Sequence, residues 1–427
     1  AGLVLARELI GASVEVVVIE SGGFEADASI QRLNEGTIVG DPYLGLRQTR
    51  HRRIGGTAHT WNTPVGMETG AKYVPLDPWD FEGQSSDGLG GWPFPFAHLE
   101  PFYHRAQAVC QLGPFQYEGE AWSDNDNRCF ALAESLTTRV YQFGQGRPFM
   151  HDMGLEIKES TNATLLHHAT VTELEAADQR DRVTGVRAVT PAGDTVRVKA
   201  PVVVLAGGAI ENARLLLLMA EAGHGDLGGG SQWLGRCFME HPRDYALTLF
   251  PKSPDFLGEA SFYDAHATAD GTVVCGRIAL TEEAARGGLP NASATLLPRA
   301  KVRRPPGGLA GRVVQRVHSL GGRVSVPGLP GRVLQRLHAL VRGPAGGGYG
   351  WSQDPDAPGR YDAFRVLVNL EHRPHPENRI VLDGARDRHG VRRASLHMRW
   401  RDEEQAELVR LRTALAGWLE GAGLGRV

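Results

Sequence analysis

The clearest periodic signal lies near the end of the chain, where Leu408, Leu411, Leu415 and Trp418 recur at three- and four-residue spacing. That spacing predicts a helix over 402–420 with one apolar stripe, stopped by the glycines of 421–425. A different pattern opens the chain: Gly2, Ala6 and Gly11 lie on a helical stretch, and the β-branched run 14–19 then predicts a buried strand ending on Glu20. Residues 202–206 are all apolar and are followed by Gly207 and Gly208, then by a helical pattern through Leu215 and Leu216. Strand, glycine turn and helix are expected there. Alternation over 183–198 around Pro191-Ala192-Gly193-Asp194 predicts a β-hairpin. No apolar run approaches the roughly 18 residues that span a bilayer.

The 427 residues suffice for about two or three domains, and 41% hydrophobic against 22% charged residues is ordinary globular composition. The 46 basic and 49 acidic side chains nearly cancel, which removes the whole-chain electrostatic case for nucleic acid or an anionic membrane as main partner. One segment departs from this balance. Between Lys301 and Gly343 there are nine basic residues and no acid, and 308–320 is echoed by 328–340 at a period of 20. Val313, Val317 and Leu320 at helical spacing suggest an amphipathic basic helix pair, read first as a surface insertion over the substrate entrance with arginine stems covering apolar surface; docking on a membrane or partner is the alternative. Cys110, Cys129, Cys237 and Cys275 are far apart with no C-x-x-C pair, so no metal site is expected and a reduced, cytoplasmic setting is. The chain opens inside a helical pattern with no cap, so truncation at both ends is expected.

The opening segment has the form of the back half of a dinucleotide-binding unit. There a glycine allows close helix packing and an acid about 20 residues on accepts ribose hydroxyls. Gly2 and Glu20 are 18 apart. Alone, the segment also fits an ordinary helix and strand of any α/β protein. Two further stretches bring backbone close to a ligand: Arg53-Ile54-Gly55-Gly56-Thr57-Ala58-His59-Thr60-Trp61-Asn62, and Ala206-Gly207-Gly208 leading to Glu211-Asn212-Ala213-Arg214.

Taken in order with Leu234-Gly235-Arg236, His241-Pro242 and Glu371-x-x-Pro374-x-x-x-Asn378-Arg379, these motifs resemble the glucose-methanol-choline (GMC) family of FAD-dependent alcohol oxidoreductases over most of the chain. Residues 76–81, 91–94 and 99–103 look like bacterial members related to pyranose oxidase and sugar dehydrogenases. The resemblance implies an α/β (α+β) fold: a doubly wound FAD-binding domain built from discontinuous segments, plus an antiparallel-sheet substrate domain. The FAD-binding parts would be 1–70 and 160–245, with a lid and connecting segment at 71–159, the substrate-side sheet at 246–400 carrying the basic insertion 301–343, and the start of a C-terminal FAD part at 401–427.

By the same resemblance Gly2 would pack near the pyrophosphate and Glu20 would bind the adenosine ribose. Gly55, Gly56 and Thr57 would line the pyrophosphate and flavin edge, the Val171 backbone would contact adenine, and Ala206 with Gly207 would border the cofactor. His241 has a structural role. Some relatives tether FAD through a histidine at the position of Thr60, and His59 is one residue early, so FAD is expected to be non-covalent.

The implied activity is oxidation of CH–OH groups in alcohols or sugars by hydride transfer to flavin N5, with the electron acceptor unread. Family members take their catalytic base from a C-terminal motif beyond the helix matching 402–420. No catalytic residue is assigned here, and His167, His168, His372 and His375 are expected to be solvated or structural. The chain as given is expected to bind FAD poorly and to be inactive. Two alternatives remain at this point: a flavoprotein of another class, such as an amine or nicotinamide-linked oxidoreductase, and a non-catalytic protein that keeps the fold.

Overall fold

Local sequence signals become helices and strands in the following order along the chain. The computed structural model describes residues 1–427 apart from 61, 62, 66, 67, 83–88, 90, 178–181, 224–230, 254 and 302–349. The helices are α1 (Gly2–Glu8), α2 (Ala28–Gln31), α3 (Phe96–Val109), α4 (Met153–Glu159), α5 (Ala209–Glu221), α6 (Phe256–Glu259), α7 (Glu282–Arg286), α8 (Ala357–Arg360) and α9 (Asp402–Gly421). The first nine strands are β1 (Val16–Ile19), β2 (Thr37–Gly40), β3 (Thr63–Val65), β4 (Glu68–Tyr73), β5 (Leu136–Gln145), β6 (Ala163–Leu166), β7 (Thr170–Ala176), β8 (Val183–Val189) and β9 (Thr195–Lys199). Then come β10 (Arg243–Pro251), β11 (His266–Ala267), β12 (Val273–Leu280), β13 (Ala292–Ala300), β14 (Tyr361–Leu370), β15 (Arg379–Arg386), β16 (Arg392–Met398) and β17 (Gly425–Arg426). The basic repeat at 308–340 and its expected helix pair lie outside the described residues. Among the described residues no helix is long and apolar enough to cross a membrane.

A nine-stranded sheet runs β17-β10-β14-β13-β12-β5-β4-β3, with β11 beside β12. Alternation gives it two different faces. On one, Val140, Val274, Ile278, Leu296, Phe364, Val366 and Val368 are buried in the main core. Leu411, Leu415 and Leu419 of α9 enter the same core, so the predicted periodicity is the stripe that packs on this sheet. Asp402, Glu403 and Glu404 fill the first turn of α9, where the helix dipole favours negative charge. The opposite face carries Arg139 and Arg277 beside a small apolar cluster of Tyr141, Phe143 and Cys275 with Ala265.

The remaining strands form three small sheets: β1 with β6 in parallel, β15-β16-β2, and β7-β8-β9. The predicted hairpin is β8 and β9, which turn where Gly193 takes φ +96. Helix α5 has apolar residues on two sides. Ile210, Ala213 and Leu217 meet Ile380, Leu396 and Met398, while Leu215 and Met219 meet Leu174 and Val186 of the hairpin sheet.

Two expectations are corrected. Residues 202–206 are extended but pair with no strand among the described residues, because apolar composition supplies side chains for a strand and not a ladder partner. Val203 and Leu205 turn inward to the hairpin cluster, while Val202 and Val204 are exposed. Strand pairing also redraws the expected 246–400 region: β4 and β5 complete the large sheet through Lys72↔Phe143 and its neighbours. β15 and β16 leave it, because β16 bonds β2 in parallel from Ser395↔Thr37 to Met398↔Gly40.

Candidate functional site

Glu20 ends β1 at its pairing with β6, and its backbone amide bonds the Leu166 carbonyl while its carbonyl accepts from the Ala169 amide. The side chain is half-buried, and Oε1 accepts from the Gly22 amide at 2.9 Å. Burial pushes this carboxyl up from its usual range, against the opposing pull of the Gly22 hydrogen bond and the Arg52 charge. Residues 21–23 lie directly against the 52–54 loop. A Cβ on Gly22 would stand 2.2 Å from the Arg52 carbonyl oxygen, and the Ile54 amide bonds the Gly23 carbonyl at 2.9 Å. Only glycine allows that approach.

The 53–60 stretch forms a short 3-10 turn, Gly56–Thr60, after Gly55 at φ +86 and Gly56 at φ +54. A Cβ on Gly55 would fall 2.6 Å from the Phe149 carbonyl oxygen and 3.1 Å from His59 Nε2, so a side chain is doubly excluded. His59 Nε2 is 2.9 Å from the Ile54 carbonyl, which turns the ring back onto its own loop. Thr57 is half-buried, and its carbonyl accepts from the Thr60 hydroxyl at 2.7 Å.

Gly2 meets the third glycine-rich segment: its Cβ, if present, would be 3.0 Å from that of Ala206. The Gly207 amide donates to Asn212 Oδ1 at 2.9 Å, and Gly208 (φ 84) starts α5 with no side chain to cap it. No hydrogen-bond acceptor serves the Ala209 or Ile210 amide among the described residues. These first-turn amides stand at the positive end of a 13-residue helix, a disposition that suits an anion.

A buried ion network ties these pieces together. Glu211, in the first turn of α5, pairs with Arg52 at 2.7 Å, Arg214 at 2.8 Å and Arg50 at 3.4 Å, and Arg214 also holds Asp387 at 2.7 Å. Burial alone would raise the Glu211 carboxyl, but Arg52, Arg214 and Arg50 together hold it at about 2. Arg52 reaches on to Asn34 at 2.7 Å and to the Ser21 hydroxyl at 3.0 Å, beside Glu20. The structure thus brings Gly2, Glu20, Gly55, Gly56, Thr57, Ala206 and Gly207 into one linked region. Val171 joins it through the core rather than the surface: its side chain packs with Ile19, Val203 and Leu205.

Sequence reasoning quoted Glu211 and Arg214 but gave them no role, and it missed Arg50, Arg52 and Asp387. The 50–53 run contains three arginines, which was the available signal; Asp387 offers none. Other motif residues prove to be supports. His372 is buried 3.3 Å from Glu404 and 3.3 Å from the Asn378 side chain, stacked on Trp400. Asn378 accepts from the Phe238 and Arg399 amides, so the 371–379 motif pins α9 to β15 and β16. His167 and His168 lie with their Nδ1 atoms 2.7 Å apart, and His241 is exposed beside Glu240.

No known family pattern matches the chain, and no curated protein matches it. Solved structures of formate oxidase do align with it. Two are single-arginine variants of the Aspergillus oryzae RIB40 enzyme, studied for their effect on FAD modification. Each is 14% identical and covers 97% of this chain and 79% of that chain, with TM-scores of 0.44 and 0.42. A further formate oxidase structure has the same identity and coverage and a TM-score of 0.40.

Proposed function

We propose that this chain has the FAD-binding fold of a GMC-type oxidoreductase whose reaction is on CH–OH groups of alcohols or sugars, the chain as given binding FAD weakly and turning over no alcohol. The observation that carries this reading is the meeting of Glu20, the 53–57 turn and the Gly2–Ala206 contact through the Arg52–Glu211 ion pair. The residues fit the cofactor. The half-buried Glu20 carboxylate suits a ribose diol, and the open amides of Ala209 and Ile210 suit a pyrophosphate. Gly55 and Gly56 keep side chains off the backbone of the turn where a flat ring would lie.

Bound FAD would supply the hydride acceptor. This chain's own residues bind and orient: Glu20 holds the ribose, the α5 terminus neutralises phosphate charge, and Arg52 fixes the 20–23 loop against the 52–56 loop. Because the His59 ring engages Ile54 and Thr60 cannot form a histidyl bond, the flavin is held without a covalent tether. Acid precipitation of the loaded protein should release flavin to the supernatant; a yellow pellet carrying flavin on His59 would contradict this.

Glu20→Ala should weaken FAD binding by about 1 to 3 kcal/mol, or about 5- to 150-fold, as expected for a lost charge-assisted hydrogen bond. Equilibrium titration followed by flavin fluorescence measures it. An affinity equal to the parent's, in a variant of unchanged circular dichroism, would overturn the assignment.

A further inference from the structure

The face of the large sheet opposite the main core holds a buried arginine that makes no ion pair among the described residues. Arg277 is on β12 and only 8% exposed, yet no carboxylate pairs with it among the described residues, and its Nε has no hydrogen-bond partner. The nearby acids make their direct contacts elsewhere, and Asp77, Glu118 and Asp80 act on the Arg277 charge only from a distance. Arg139, opposite Arg277 on β5, binds Asp77 at 2.7 Å and Glu118 at 2.9 Å, and Asp80 accepts from the Asp77 amide at 2.7 Å. Two cations approach the buried Tyr141 ring from the strands on either side of β5: Lys72 on β4, with Nζ 4.4 Å from the ring centre, and Arg277 on β12, with its guanidinium 5.4 Å from it. Cation–π contact offsets part of the desolvation of a buried cation and does not replace an anion.

Neutral polar groups on the adjoining strands are also left open. On β13 the Thr295 hydroxyl is buried without a partner, and so is the side-chain nitrogen of Asn369 on β14. Ser293, also buried, is paired across to Asn369, with its hydroxyl 3.4 Å from the Tyr141 hydroxyl. From β12 to β14 is two strand spacings, about 10 Å, the reach of a small polyhydroxy molecule. Buried polar groups without partners are rare in folded proteins, and three on one sheet face mark a place for a polar ligand.

We infer that this face binds a hydroxylated carboxylate of sugar-acid type, its carboxylate on Arg277 and its hydroxyls on Ser293, Thr295 and Asn369. The arginine fork suits a planar carboxylate, which gives the site its preference for an acid over the matching alcohol. That this ligand is also the molecule oxidised rests on the FAD reading above; the binding itself does not.

Calorimetric titration of the whole chain with D-gluconate and with sorbitol tests it. Gluconate should bind at least about tenfold more tightly than sorbitol. Arg277→Gln should lose about tenfold or more, with Arg277→Lys recovering part, while FAD affinity stays at the parent's level. Thr295→Val, on β13, should lose severalfold and serves if Arg277→Gln fails to fold. Equal binding of gluconate and sorbitol, or gluconate affinity unmoved in both the Arg277→Gln and Thr295→Val variants, would overturn the inference. Loss of FAD binding with gluconate binding intact would instead defeat the flavin reading alone.

Discussion

Arg214→Met should destabilise the chain by about 3 to 5 kcal/mol at neutral pH, one of the two largest effects expected of any single substitution discussed. Arg214 is 3% exposed, and its guanidinium holds Glu211, Asp387 and the Arg392 carbonyl at 2.8, 2.7 and 2.6 Å. Methionine matches the stem and removes the charge, which strands the buried Asp387 carboxylate and leaves Glu211 with Arg52 and Arg50 alone. Acid should narrow the difference. Glu211 is held at about 2 in the folded chain, well below an ordinary glutamate. Its stabilisation is therefore fully present above about pH 5 and is lost as pH falls toward 2. Urea unfolding of parent and variant at pH 7 and pH 3 checks both statements. A loss under about 1 kcal/mol at pH 7, or a gap that widens at pH 3, would contradict them.

Phe364→Ala should cost about 3 to 5 kcal/mol by a different mechanism, the cavity left in the main core. Phe364 is fully buried on β14 and meets Phe256 and Trp351 edge to face at 5.9 and 5.0 Å. Phe256 continues the cluster to Phe130 at 5.2 Å, which stacks on Tyr263 at 4.3 Å. Removing the ring leaves aromatic edges without partners on the face of the sheet opposite Arg277. Phe364→Leu keeps much of the volume and should cost less than half as much. Equal losses for the two variants would mean that ring packing does not hold this face.

Helix α9 was legible because its leucines repeat on one face and that face alone is buried. The β8–β9 hairpin was legible for a similar reason: alternation and a turn glycine are both local properties. At 202–206 the same logic misled, since five apolar residues look like a strand whether or not another strand lies beside them. Pairing of β2 with β16 joins residues more than 350 apart in the chain, and no local pattern encodes it.

The site shows the same division. The close backbone approach at Gly2 and Gly55, the positive φ at Gly56 and the acid after β1 at Glu20 are local features that leave marks in short segments. The network joining Arg50 and Arg52 to Glu211, Arg214 and Asp387 spans five separated positions, and an arginine's partner is a fact of packing. Arg277 is the extreme case, because what distinguishes it is a partner that is missing among the described residues.

The central claim, that the glycine-rich turns around Glu20 hold FAD, is tested most directly by amide hydrogen exchange of the 427-residue chain with and without saturating FAD. The account predicts slowed exchange in 2–8, 20–24, 54–57 and 206–211, with 402–421 unchanged. No slowing in those four segments at saturating FAD, or protection confined to other parts of the chain, would contradict it.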